Sequence, residues 1–106
     1  MSLRREKVSE LIKEMAAEFF ARESDRTSII TITRTDISSD FQNATIYFTV
    51  FPEESEKAAL FFAKRKRSEF KKYARKKIKM KRIPMFDFEI DMGEKNRQQI
   101  EKLSNK

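Results

Sequence analysis

The chain has no cysteine, no histidine and no tryptophan, and its 106 residues include one glycine and two prolines. Without Cys there is no disulfide scaffold and no thiolate metal site, which suits a reducing compartment. The lack of His removes the Ser-His-Asp and Cys-His nucleophilic arrangements and the usual zinc sites as well. Gly93 is the single glycine, so there is no Gly-rich loop of the P-loop or dinucleotide type to cradle a phosphate. No run approaches the roughly 18 apolar residues of a membrane span, and MSLRREKVSE has no apolar stretch behind its charges. These absences argue against an enzyme and call for no cofactor and no metal. They favour a soluble intracellular protein, most simply a cytoplasmic one.

What the chain has in excess is positive charge, and the excess is local. Lys64 to Arg82, KRKRSEFKKYARKKIKMKR, holds twelve of the 24 Lys and Arg residues against one acid, Glu69. The other 87 residues carry twelve bases against sixteen acids. A mildly acidic body with one strongly cationic element is the electrostatic footprint of a polyanion-binding protein, and nucleic acid is the commonest such partner. With 39% hydrophobic content, the chain supports one domain with one core, to which ten Phe contribute much of the mass.

Val8, Leu11, Ile12, Met15, Phe19 and Phe20 recur at three- and four-residue spacing and predict an amphipathic helix. It should end near Arg22, where Ser24, Asp25, Thr27 and Ser28 break the period. Two strands follow, Ser28 to Thr35 and Gln42 to Phe51. The second alternates Ala44, Ile46, Phe48 and Val50 with Thr45, Tyr47, Thr49 and Phe51. Ser38, Ser39 and Asp40 favour a turn, so a hairpin is expected, and its lack of Gly argues against the tightest two-residue type.

Pro52 ends the second strand, and Ser55, among Glu53, Glu54 and Glu56, is placed to cap a helix. On one straight helix reaching Lys81, Lys66 would fall inside the stripe of Ala59, Phe62, Ala63, Phe70, Tyr73 and Ala74, while Leu60, Phe61 and Ile78 would miss it. A bend or break between Lys64 and Ser68 resolves the misfit, with Ser68 available to cap a second helix. Pro84 opens a last strand, MFDFEID, in which Phe86, Phe88 and Ile90 alternate with Asp87, Glu89 and Asp91. The charged tail, residues 93–106, has only Ile100 and Leu103 to bury and reads as a frayed helix or as disordered, leaving residues 1–92 as the domain. The order of elements predicts a two-layer α+β fold, a small sheet covered by helices.

Lys64, Lys71, Lys72, Arg75, Lys79 and Arg82 spread over the side of the helix opposite Phe70 and Ala74. With Arg65, Lys66, Arg67 and Lys76 they form the candidate RNA-binding set. The bland alternative is a solvated face, but such faces interleave acids at i,i+4 spacing, and here Glu69 alone does so. A membrane surface also suits a basic amphipathic helix. Tyr47 and Phe51, on the sheet face away from the expected core, have the chemistry to stack on unpaired bases, although structural roles are the commoner use of strand aromatics and no RNP-type motif is present. Asp87, Glu89 and Asp91 stand roughly 7 Å apart along their strand, too far for one ion to be held by all three without help. They read as a solvent-facing row that discourages wrong strand pairing.

Three strings carry a resemblance from about Arg5 to Asp91: EKVSELIKEMAAEF in the first helix, the hairpin ISSDFQNATIYFTVF with its Ser-x-Asp turn at Ser38 and Asp40, and the strand entry RIPMFDF at Arg82 to Phe88. In order and spacing they resemble ribosome-binding factor A, a bacterial and organellar factor of small-subunit maturation. The resemblance implies a KH-like fold of type II, order α-β-β-α-(kink)-α-β with a three-stranded sheet. It also implies a non-enzymatic monomer that binds small-subunit (16S-type) rRNA near the decoding region and neck and assists maturation of the 30S subunit. KH domains clamp the backbone with a GxxG loop between helices, which this family replaces by an Ala-x-Gly kink. Lys66-Arg67-Ser68 stands at that place here, with neither small residue and with two cations. The alternatives are a ribosomal protein or another small KH-like RNA-binding module and, from a different class, a peripheral membrane or protein-interaction module.

Overall fold

The computed structural model of the chain describes residues 3–23, 27–78 and 82–97. Its first element is helix α1, Leu3–Glu23, whose stripe of Ile12, Met15, Ala16, Phe19 and Phe20 is buried. Leu11 lies at the edge of that stripe and stays exposed. Strands β1, Ile29–Ile37, and β2, Asn43–Phe51, form the expected hairpin. They pair antiparallel, from Ile29 opposite Phe51 to Ile37 opposite Ala44, with a register shift between Ile32 and Arg34.

The turn chemistry is local. Ser38 donates its hydroxyl to Asp40 at 2.6 Å, Asp40 accepts the Gln42 N–H at 3.0 Å, and Phe41 takes a positive φ of 59°. An Asx-type turn of this kind replaces the glycine that a two-residue hairpin would need.

After a short 3₁₀ turn, Glu53–Ser55, come helices α2, Glu56–Arg65, and α3, Arg67–Lys77. The break falls at Lys66, inside the expected window. Neither expected serine cap forms: Ser55 makes no side-chain cap bond, and α3 starts before Ser68, with Lys66 at its N-cap position. Strand β3, Met85–Ile90, then joins β2 in parallel, giving the sheet order β1-β2-β3. A parallel neighbour requires a long crossover, and α2 and α3 supply it. This is the helix-strand-strand-helix-helix-strand arrangement of a type II KH-like domain.

Ile46, Phe48 and Phe88 on the sheet and Ile12, Phe20 and Phe70 on the helices are fully buried. Their rings meet edge to face, Phe20 on Phe88 at 5.1 Å and Phe70 on Phe86 at 4.8 Å, the geometry that aromatic quadrupoles favour. The helices therefore cover one sheet face, while the other carries Thr31, Arg34, Asp36, Thr45 and Tyr47. Beyond β3, residues 92–97 are helical, and Lys95 reaches back to Glu53 at 3.0 Å and Glu56 at 3.1 Å. The rest of the tail expected to be frayed or disordered, residues 98–106, lies outside the described residues.

Candidate nucleic-acid interface

Helix α3 is held by its inner side, where Phe70 and Ala74 are buried and the Phe70 ring meets Phe19 of α1 at 5.4 Å and Phe88 of β3 at 5.6 Å. These contacts set the rotation of the helix about its axis, so Lys72, Arg75 and Lys76 point to solvent. All three are exposed and make no ion pair among the described residues. Arg65 and Arg82 are likewise exposed and unpaired there. Lys71 is half-buried, with its ammonium 3.5 Å from the Met85 sulfur and no acid partner. Arg75, Lys76 and Lys77 occupy the last turn, where cations also complement the negative end of the helix. Lys79 lies outside the described residues.

Beside this ridge, α1 and α3 frame an open hollow of about 270 Å³ lined by Arg22, Lys72, Tyr73 and Lys76, with Glu23 and Glu69 moderating its charge. The Arg22 guanidinium sits 5.0 Å from the Tyr73 ring centre. Tyr73 donates its hydroxyl to Glu18 at 2.8 Å, and that bond holds the phenol above its ordinary pKa.

The cations at the α2–α3 corner are in a different state. Lys64 donates to Asp87 at 2.9 Å and to Glu89 at 3.0 Å. Arg67 reaches Asp87 at 3.2 Å and also donates to the Lys64 carbonyl at 3.0 Å. Lys66 pairs with Glu69 at 3.2 Å. Burial alone would raise the Asp87 carboxyl, but the Lys64 hydrogen bond, the Phe88 N–H and the nearby cations hold it below the ordinary carboxylate range. Desolvation opposes the charged form of Lys64, and its two carboxylate partners nevertheless raise its pKa. The corner is thus clamped to the edge strand, and its cations are partly neutralised.

This corrects the reading of Asp87, Glu89 and Asp91 as a free solvent-facing row. Asp87 and Glu89 are the counter-ions of Lys64 and Arg67. Asp91 is only 7% exposed, accepting from the Thr33 hydroxyl at 2.6 Å and the Glu94 N–H at 3.0 Å, with Arg34 at 3.4 Å. Strand alternation shows that these acids share a face. The cationic partners of Asp87 and Glu89 are 20 to 25 residues away and the Thr33 partner of Asp91 is 58 away, and local pattern is silent about that. Among the described residues no three potential ligands converge as a metal site requires.

The sheet aromatics also separate. The Arg34 guanidinium lies 3.9 Å from the Tyr47 ring centre, so one face of that ring is occupied, and Arg34 is itself tied to Asp36 at 2.6 Å. Phe51 is 70% exposed at the end of the hairpin, opposite Ile29. Of the residues singled out, the fold assembles Lys71, Lys72, Arg75 and Lys76 into one unpaired surface and assigns Lys64, Lys66 and Arg67 to ion pairs.

The family model described as ribosome-binding factor A matches residues 4–104. The chain is 30% identical to the ribosome-binding factor A of Staphylococcus saprophyticus over 113 aligned positions, covering 100% of this chain and 99% of that protein. Its fold is similar to the crystal structure of ribosome-binding factor A from Thermus thermophilus, with a TM-score of 0.73 at 21% identity over 81% of this chain and 94% of that one. It is also similar to a Thermus thermophilus ribosome-binding factor A homology model fitted into a cryo-electron-microscopy map of a 30S complex of that factor, with a TM-score of 0.68 at 22% identity over 76% and 88% of the two chains. The family is that of a binding factor and not of an enzyme. With the three strings, in the same order, inside the matched span and its helices and sheet in the same arrangement, this chain belongs to the ribosome-binding factor A family.

Proposed function

We propose that this chain binds the rRNA of the small (30S) ribosomal subunit and assists maturation of that subunit, as a cytoplasmic monomer that performs no catalysis and whose RNA-binding domain is residues 1–92. The observation that carries the reading is the outer face of α3, where Lys72, Arg75 and Lys76 stand exposed without acid partners among the described residues. Phosphates are the partner such a surface lacks, since like charges crowded on one helix destabilise it until counter-charges arrive. Arg65, Lys71 and Arg82 extend the same surface.

A membrane surface is disfavoured by the same geometry. An interfacial helix inserts an apolar face between lipids, and the apolar side of α3 is already committed to Phe19, Phe86 and Phe88. The support for a ribosomal target is family membership together with the Thermus thermophilus relative placed in a 30S map.

The test is a variant carrying Lys72→Glu, Arg75→Glu and Lys76→Glu. Exposed substitutions of this kind shift stability by less than about 0.5 kcal/mol each, so the variant folds, as circular dichroism will show, and loses co-sedimentation with small subunits. The parent protein should travel with immature small subunits and be absent from mature ones, where a ribosomal protein would remain. A folded triple variant that binds subunits like the parent refutes the proposal.

A further inference from the structure

Phe61 is 68% exposed on α2, while the next ring along, Phe62, packs against the core. Phe61 therefore contributes little of the stabilisation that burying a Phe side chain gives. The break at Lys66 does not bring it inward. Its surroundings are cationic: Lys57 stands one turn before it and Arg65 one turn after, on the same side of the helix. Both are exposed and without an ion pair among the described residues. Lys64 is adjacent but is held by Asp87 and Glu89. The acids Glu53, Glu54 and Glu56 stand at the N-terminal end of α2, next to Lys57, and two of them, Glu53 and Glu56, are engaged by Lys95.

We propose that Phe61 is a stacking site for one unpaired base of single-stranded RNA, with Lys57 and Arg65 receiving the phosphates on either side of that nucleotide. The inference rests on the RNA-binding reading above and extends it from α3 to α2. Eight residues of helix separate the two cations by about 12 Å, with the ring midway between them. Every base offers a π-face to an exposed aromatic, and the strand brings its own charge to the flanking cations. An apolar groove on a protein partner would have to strip water from Lys57 and Arg65 without neutralising them, which is costly. A second copy docked on the same patch would set like charges against each other. Only Lys66 lies between the end of α2 at Arg65 and the start of α3 at Arg67, which places Arg65 at the corner next to α3.

The chain contains no tryptophan, so Phe61→Trp places a single indole at the site. Titrating that variant of the whole chain with an unstructured single-stranded RNA oligonucleotide should quench its fluorescence. Heparin, a polyanion without bases, should not. Phe61→Ala should bind the oligonucleotide about 5- to 150-fold more weakly, the loss expected for one base–aromatic stack, with unchanged thermal melting, and Phe61→Tyr should retain binding. If the indole is indifferent to RNA and Phe61→Ala binds like the parent, while the Lys72, Arg75 and Lys76 triple variant loses binding, the stacking site is refuted and the RNA-binding reading stands. If the parent binds neither the oligonucleotide nor small subunits, both fall. Self-association that Phe61→Ala abolishes, with RNA affinity unaltered, would assign the ring to a second copy and overturn the inference as well.

Discussion

Asp91 is the one carboxylate among the described residues that is buried, and it shows how a charge is kept inside a small domain. Desolvation would push its pKa up, but the Thr33 hydroxyl, the Glu94 N–H and Arg34 all favour the ionised form and hold it below the ordinary value. A buried charge persists only with such a complete set of partners. Its pKa is depressed on folding, so its contribution is fully present above the unfolded-state value and is lost as pH falls through the folded-state value. Asp91→Ala should therefore lower stability by about 1–3 kcal/mol at neutral pH, because it strands the Thr33 hydroxyl and the Glu94 N–H. The gap between parent and variant should narrow as the solution is acidified through the carboxylate range. Urea unfolding at neutral and acid pH checks this, and a gap that does not change with pH would contradict it. The alternation of MFDFEID puts Asp91 on the outer strand face but not in the interior. Its burial depends on the chain turning back at Glu94, which no strand period encodes.

The break between α2 and α3 was legible because two regular stripes cannot share one straight axis across Lys66. What makes the break was not legible. No Gly, Pro or serine cap is involved. Lys66 takes φ −90° and ψ 4°, a sparsely allowed but unstrained conformation, and its N–H still reaches the carbonyls of Phe62 and Ala63 at 3.1 Å each. Its own carbonyl accepts from Phe70 at 2.8 Å. The helix is interrupted while these backbone groups stay satisfied, so the break belongs to the backbone and to the packing of Ala63 and Phe70 on either side. It follows that Lys66→Ala should keep the helical content and change stability by no more than about 1 kcal/mol, the scale of its surface pair with Glu69. Lys66→Pro should cost about 3 kcal/mol or more, because it deletes that N–H. Circular dichroism and urea unfolding of the two variants test the assignment. A gain in helicity in Lys66→Ala would show that the side chain, not the backbone, interrupts the helix.

For the whole molecule, the fold sorts one basic run into two electrostatic roles. Lys64, Lys66 and Arg67 hold a corner together, and the six proposed RNA ligands Arg65, Lys71, Lys72, Arg75, Lys76 and Arg82 make no ion pair among the described residues. If those six neutralise phosphates, the slope of log affinity against log salt for a duplex RNA should be near −5, by the approximate counterion relation for duplexes. Counting every cation of the run would predict a slope about twice as steep. Binding measured across a series of salt concentrations distinguishes the two, and a slope close to zero would exclude the α3 ridge as the binding surface.

Local order along the chain determined the periods of α1, β2 and β3, the hairpin turn at Ser38 and Asp40, the site of the helix break and the concentration of charge in one segment. Each depends on neighbours a few residues apart and on the fixed repeats of helix and strand. Only the tertiary structure decided that β3 lies parallel beside β2, that Lys64 meets Asp87 and Glu89, that Arg34 covers Tyr47, and that Phe61 is left outside. Those outcomes depend on distance in space between residues remote in sequence. Coulomb attraction and apolar contact act over a few ångströms, so the same basic run yields structural clamps where the sheet edge brings acids close and an open cationic face where it does not.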